Sequence, residues 1–304
     1  YGPEVPLSVS VSPDVLTRVD PNLLDDLAAV IDHGELLSQT SVPLDPSAAA
    51  ATLDTDAGAL FTELLRNGED IANARVDERP TRTVWIEQDP LTTDGVSLLR
   101  SLGTNYVVLS PETYEAVGIG NGYLGGYTMQ SLLRDIELAD GAVPAAVTVP
   151  ELTRFLVDAE MAPELAALYT AARLVAWHEW VATDFAPAGH HALVLIHPDG
   201  GVLGPDRVTR LVQLATATGA VQFSTLSSMF ANAEPQLLGD TASTITLADQ
   251  PTADLDARAE EIRPTLDRQA TVGGMLVNDN GRTARWTSTL QTLMSTSVDE
   301  AQVL

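Results

Sequence analysis

The 304-residue chain contains no cysteine. That excludes a disulfide framework, cysteine-ligated zinc and a thiol nucleophile. Lysine is absent too, so the phosphate-binding loop of nucleotide hydrolases, which needs one, is excluded. All 16 basic residues are arginine, against 42 acids, and the net charge is -26. Binding to nucleic acid or an anionic membrane needs clustered basic residues, so neither partner is expected. No run reaches the roughly 18 apolar residues that cross a bilayer, and no membrane contact is expected of this segment. No G-x-S-x-G elbow occurs, which removes the serine-hydrolase signature. A composition 45% hydrophobic is ample for a core and excludes global disorder. Arginine without lysine, together with abundant alanine, points to a GC-rich genome. The acidity also fits a salt-adapted host.

One junction recurs along the chain. Short β-branched or apolar runs (Val5 to Ser12, Leu36 to Val42, Thr83 to Ile86, Tyr106 to Leu109, Ala145 to Val149 and Ala192 to Ile196) each lead into X-Pro and then a helical pattern. Proline presets the helical φ and gives up an N–H that a first turn leaves unpaired anyway. Ser or Asp before it can cap free amides, and an acid just after it suits the positive end of the helix dipole. Ala220 to Leu226 is a seventh strand candidate. Strands alternating with helices indicate a parallel sheet covered by helices, and seven units favour a barrel over an open sheet. The expectation is an α/β fold: a (β/α) barrel, seven-stranded or an incomplete TIM-like one, over residues 1–230. Residues 231–252 read as polar and irregular. Ala253 to Leu266 and Arg282 to Leu293 read as helices of an appendage (231–304) packed on the barrel, with Trp286, Leu290 and Leu293 on one face. The chain opens at Tyr1 without Met or a signal-like segment and stops at Leu304 within a helical pattern. A piece of a longer protein is therefore expected.

The runs Pro6-Leu7-Ser8-Val9-Ser10-Val11-Ser12-Pro13, Val42-Pro43-Leu44-Asp45-Pro46 and Leu64-Leu65-Arg66-Asn67-Gly68 carry a resemblance. So do Trp85 ahead of Pro90-Leu91-Thr92, Leu98-Leu99-Arg100-Ser101-Leu102-Gly103 before Tyr106-Val107-Val108-Leu109, and Ala192-Leu193-Val194-Leu195-Ile196-His197-Pro198. Over roughly residues 5 to 230, the chain resembles large secreted or membrane-anchored envelope proteins of actinobacteria. Their barrel is similar to that of polysaccharide deacetylases and of α-mannosidase and amylopullulanase-type glycoside hydrolases. The resemblance implies a carbohydrate-related barrel, an extracytoplasmic location, and a membrane anchor elsewhere in the full-length chain.

In such folds the reacting groups sit where strands end. The polar residues there are Asp14, Asp45, Glu87, Asp89, Glu112, Glu151, His197 and Asp199. Glycoside hydrolysis needs two carboxyls about 5 to 10 Å apart. Asp45 with Asp89, or Glu87 with Asp199, could supply them, and nothing in the sequence ranks the pairs. Asp14, Glu112, Glu151 and Asp199 are equally explained by first-turn electrostatics, and Asp45 and Asp89 by capping. Glu87, at a strand end beside Trp85, is the least explained.

A metal-dependent deacetylase needs a histidine pair at i, i+4. The five histidines (His33, His178, His190, His191 and His197) offer none. His191 and His197 are about 20 Å apart along a strand. No metal and no cofactor are therefore expected. Gly118 to Gly126 reads as a glycine-rich loop whose Tyr123, with Tyr127 just after it, could stack on a sugar ring. Ligand-binding candidates are Trp85, Glu87, Tyr123, Tyr127 and His197. The expectation is a non-catalytic, degenerate barrel acting as scaffold or as glycan- or protein-binding module. The alternative is a metal-independent glycoside hydrolase using two of Asp45, Glu87, Asp89 and Asp199.

Overall fold

The computed structural model describes residues 5–51, 55–118, 133–184, 191–197, 201–234, 237–238, 241–242, 244–250, 252–253, 255–275 and 282–296. The elements run β1 (Ser8–Ser10), α1 (Pro13–Arg18), α2 (Pro21–Ile31), β2 (Glu35–Leu37), α3 (Pro46–Ala51), α4 (Thr55–Val76), β3 (Val84–Ile86), α5 (Thr93–Ser101), β4 (Tyr106–Leu109) and α6 (Pro111–Gly118). They continue with β5 (Arg134–Leu138), β6 (Gly141–Val147), α7 (Pro150–Val157), α8 (Pro163–Asp184), α9 (Pro205–Thr216) and α10 (Leu226–Asn232). The last elements are β7 (Leu237–Leu238), β8 (Thr241–Ala242), β9 (Thr244–Ile245), α11 (Leu255–Met275) and α12 (Arg282–Leu293). Among the described residues no helix is long and apolar enough to cross a membrane.

The X-Pro junctions do start helices. Pro occupies the first turn of α1, α2, α7 and α9. Capping, however, is selective: the Asp20 side chain accepts from the Asn22 N–H, and the Thr92 side chain from the Gly95 N–H. Ser12 makes no cap bond.

The parallel strands follow one another in chain order around the fold. β1 pairs with β2, and a bridge from Leu37 to Thr81 carries the wall on to the segment that becomes β3. β3 pairs with β4, β4 with β6, and Thr148 bridges to Val194. Leu37, Val84, Val108 and Ala146 of β2, β3, β4 and β6, with Val194 of the bridged segment after α8, form an inner cluster with Phe230 of α10. Their neighbours Trp85, Val107, Leu109, Ala145 and Val147 face outward into the core beneath the helices, with Phe61, Leu64 and Leu99. Near-continuous apolar strands buried on both faces are what a helix-covered parallel wall requires. This is an α/β fold of (β/α)-barrel type.

Ala192 to Ile196 carries only the bridge at Val194 and no ladder, short strands β7, β8 and β9 stand within the stretch 231–252 read as irregular, and two further differences bear on the wall. Residues 221–225 carry no ladder, and α10 begins at Leu226. The segment still fills the seventh place: Val221 and Phe223 pack with Leu193 and Leu195 on one side, and Phe223 with Val5 and Leu7 on the other. Side-chain bonds tie the start of α10 to β1 and β2 there instead of a ladder. Ser8 Oγ donates to Glu35 Oε1 (2.6 Å) and accepts from the Leu226 N–H (2.7 Å), while the Ser227 N–H donates to Glu35 Oε1 (3.0 Å). Phe230 then stacks on Tyr106, the first residue of β4, with ring centroids 4.6 Å apart.

The second difference is β5, which was not anticipated. It forms an antiparallel hairpin with β6 around Ala139-Asp140, and β9 extends this edge in parallel. Ile245, Leu247, Leu255, Ile262 and Met294 bury into the same core as Phe61 and Trp85. Leu290 and Leu293 of α12 pack against that core, while Trp286 on the same helix stays 44% exposed.

Candidate functional site

Side chains alternate along a strand, so the inner positions of β3, β4, β6 and the Val194 segment continue past their last ladder bonds to Ile86, Ser110, Thr148 and Ile196. These four, with Glu87, Gln88, Pro111 and His197, line a shallow cavity of about 90 Å³ at the strands' C-terminal ends. This is the end of a (β/α) barrel that carries function. Ser110 and Thr148 escaped the sequence reading, which weighed acids, histidines and aromatic residues. Their in-phase spacing from Val108 and Ala146 was the available signal.

Glu87 is out of phase with Ile86 and lies on the Trp85 side of β3. Its Oε2 accepts from Trp85 Nε1 at 3.0 Å, and its Oε1 accepts from the backbone N–H groups of Gln88 (3.0 Å) and Asp89 (3.1 Å). Burial drives the carboxyl upward to about 7; the bonds from Trp85 and Asp89 oppose this, and the charges of Asp45 and Asp89 add to it. Desolvation wins over the donors, and near neutrality the group is shared between its two forms. Trp85 itself is buried, with its ring tilted against Phe61 at 5.9 Å. Its indole face belongs to the core, and it reaches the cavity only through Glu87.

The loop carrying Glu87 is pinned from below. Ser47 Oγ donates to the Pro90 carbonyl (3.4 Å) and accepts from the Thr92 N–H (3.1 Å). Thr113 Oγ1 donates to the Asp89 carbonyl (3.5 Å) and accepts from the Leu91 N–H (3.4 Å), and Thr113 is in turn held by Ser110 Oγ at 3.0 Å. Ser47 and Thr113 are both fully buried. Asp45 caps α3: its Oδ1 accepts from the Ser47 N–H at 2.7 Å. Burial raises the Asp45 carboxyl above its ordinary range, against the lowering effect of those cap bonds, and the Asp89 charge raises it further. Asp89 is exposed on the rim.

His197 packs its ring against the backbone of Gly201, where an added Cβ would sit 3.1 Å from both Cε1 and Nδ1. A side chain at position 201 would press on that ring.

The structure therefore brings Glu87 and His197 into one cavity, with Asp45 and Asp89 close enough to be felt electrostatically. Tyr123, Tyr127 and Asp199 lie outside the described residues. Asp14 forms an exposed ion pair with Arg18 (2.8 Å), and Glu112 is an exposed first-turn acid of α6. Both are accounted for by their helices. Among the described residues no three His, Asp or Glu side chains converge to hold a metal ion. Glu87 is the one carboxylate among the described residues that line the cavity. What the wall presents is a carboxyl, an imidazole and two hydroxyls over an apolar floor.

No family model and no curated protein matches the sequence. Solved structures do match. The 4-α-glucanotransferase of Thermococcus litoralis has a TM-score of 0.57 at 13% identity, over 92% of this chain and 42% of its own. The α-amylase AmyC of Thermotoga maritima has a TM-score of 0.56 at 12% identity, over 95% of this chain and 68% of its own. A GH57-type branching enzyme of Pyrococcus horikoshii has a TM-score of 0.54 at 12% identity, over 83% of this chain and 58% of its own. At such identity the likeness shows the fold: a (β/α) barrel of the type found in GH57 carbohydrate-active enzymes. The chain spans less than half the length of the glucanotransferase and under two thirds of the branching enzyme.

Proposed function

We propose that this barrel is a non-catalytic carbohydrate-binding module or scaffold of a cell-envelope protein, built on the frame of a glycoside hydrolase. The observation that carries the reading is the state of Glu87. Its carboxylate is occupied by Trp85 Nε1 and by the N–H groups of Gln88 and Asp89, so it holds its own loop. Hydrolysis of a glycosidic bond needs two carboxyls facing each other across the sugar, whereas Asp45 is spent on the cap of α3. The hydroxyls of Ser110 and Thr148 and the His197 ring suit a polyhydroxylated ligand laid over Ile86 and Ile196. The open, shallow cavity suits a chain end or a side branch better than an enclosed small molecule. The extracytoplasmic location is supported by the resemblance to envelope proteins.

One observation favours a second reading, a metal-independent glycoside hydrolase. A carboxyl poised near 7 beside other acids is how general acids are tuned.

Isothermal titration and thermal shift with maltooligosaccharides and soluble cell-wall glycan fragments, alongside a reducing-sugar assay, separate the two. The module reading expects a glycan-dependent rise in Tm that Thr148→Val and His197→Ala weaken about tenfold or more, with no sugar released. Release of sugar that Glu87→Gln abolishes would establish the hydrolase instead. No shift and no released sugar with any of these glycans would refute both glycan readings and leave the scaffold.

A further inference from the structure

The barrel-mouth cavity holds two groups whose polar partners are incomplete. Thr148 is 8% exposed, lines the cavity, and has no hydrogen-bond partner for its hydroxyl among the described residues. Its backbone is pinned by the N–H bond to the Leu109 carbonyl (3.3 Å) and by the bridge to Val194. A β-branched side chain on a fixed backbone has few rotamers, so little freedom is lost when the hydroxyl bonds a ligand. A buried hydroxyl without a partner calls for a ligand or a water.

Glu87 is the second. Trp85 Nε1 and the N–H groups of Gln88 and Asp89 take three of the roughly four acceptor sites of its carboxylate. All three donors are neutral. Among the described residues no ion pair reaches Glu87, and the charges that act on it, from Asp45 and Asp89, are both negative. A buried carboxylate is normally matched by a cation. Among the described residues nothing supplies one. No arginine lines the cavity, and Arg75, Arg82 and Arg207 are spent on carbonyls that end α1, α5 and α7. His197 is not among the groups that act on Glu87. Water can complete Thr148, but it brings no charge to Glu87.

Strand register sets the span between the two groups. Ile86 pairs with Val108 and Val108 with Ala146. Glu87 and Thr148 therefore stand two strand spacings apart, about 10 Å between backbones. One sugar ring with a hydrogen bond at either edge fills that gap, over the apolar Ile86 and Ile196.

We propose that the preferred ligand of this cavity is a sugar carrying a free amine, with its ammonium on Glu87 Oε2 and a hydroxyl on Thr148 Oγ1. The inference rests on the glycan reading above and narrows it to one chemical class. An uncharged sugar leaves the carboxylate unmatched. An acidic or phosphorylated sugar meets Glu87, Asp45 and Asp89 as like charges.

Titration calorimetry on the full 304-residue chain at about pH 7 tests it. The probes are the glucosamine disaccharide, cellobiose, which carries hydroxyls in place of the amines, and a glucuronate-containing disaccharide. The amine sugar should bind about tenfold or more tightly than cellobiose, the worth of a charge-assisted bond, and the uronate more weakly than either. Glu87→Gln, checked by circular dichroism, should bring the amine sugar and cellobiose to within about twofold of each other. Thr148→Val should weaken both by a similar factor. In the wild-type chain, saturating amine sugar should lower the Glu87 titration followed by NMR, and cellobiose should leave it in place. Cellobiose binding as tightly as the amine sugar, or amine sugar that binds without moving the Glu87 titration, would overturn the amine assignment. If only maltooligosaccharides or wall fragments without free amines bind, the glycan reading stands and this assignment falls. If no sugar binds, both fall.

Discussion

Ionising Glu87 should cost this protein stability, and the cost can be isolated. Its folded-state carboxyl titrates near 7 against an ordinary value of 4.5. The native state therefore holds the proton more tightly than the unfolded chain. Stability contributed by the protonated form is fully present below about 4.5 and is lost as pH rises through about 7. A pKa unit is about 1.4 kcal/mol, giving a ceiling of about 3 kcal/mol. Glu87 retains partial solvent contact, which brings the expected figure to about 2 kcal/mol. The chain's growing negative charge also lowers stability over this range, so wild type must be compared with Glu87→Gln, which shares that background and lacks the titration. Urea unfolding at about pH 5 and about pH 8 gives the required double difference. Wild type should lose about 2 kcal/mol more than the amide variant between the two. Trp85→Phe, which removes a donor favouring the ionised form, should move the Glu87 titration upward when followed by NMR. Equal pH slopes for wild type and Glu87→Gln would show that the carboxyl is well solvated, and both the burial argument and the case for a poised acid would fail.

Two further predictions concern the frame that holds the cavity. At Gly68 in α4 an added Cβ would sit 2.0 Å from the Gln39 carbonyl oxygen and 3.0 Å from the Ser41 nitrogen, both of them backbone atoms. Gly68→Ala should therefore cost about 3 kcal/mol or more in chemical unfolding, and a cost under about 1 kcal/mol would mean that α4 can shift freely. Arg82 grips the buried Glu69 through Nε and Nη2 (2.5 and 2.6 Å), and Ser38 Oγ donates a further bond at 2.8 Å. Arg82→Ala strands that carboxylate and should cost about 3 kcal/mol. Arg82→Ala combined with Glu69→Leu should recover most of the loss, and a double variant no better than the single would refute this account.

The residues at the barrel mouth were half legible in the sequence. Glu87 stood out because neither a helix dipole nor a cap explained it, and it does line the cavity with His197. Asp14 and Glu112 proved to be first-turn acids on exposed helix starts, as their place after proline implied. Trp85 behaved otherwise: nothing in a strand-end Val-Trp-Ile-Glu run says whether the tryptophan or its neighbours face the helices. The phase was decided by Val84 and Ile86 turning inward with Val108, which sends Trp85 out against Phe61.

The strand–Pro–helix rhythm, the all-arginine acidic composition and the absence of cysteine were local facts, and they were enough to determine an α/β chain with a parallel wall and to exclude thiol, disulfide and phosphate-loop chemistry. Local rules suffice there because a proline φ, a cap or a buried β-branched run acts over a few residues. What ties the first strands to α10 acts across the whole chain. Ser8, Glu35 and the start of α10 meet over sequence separations of 192 and 218 residues, so a segment with strand-like composition at 221–225 could give up its ladder and still be held in place. The tertiary structure likewise decided the ionisation of Glu87. Its pKa depends first on burial, then on the charges of Asp89 two residues on and of Asp45, which the packing of α3 against α5 brings near, and neighbours in sequence reveal neither the burial nor Asp45.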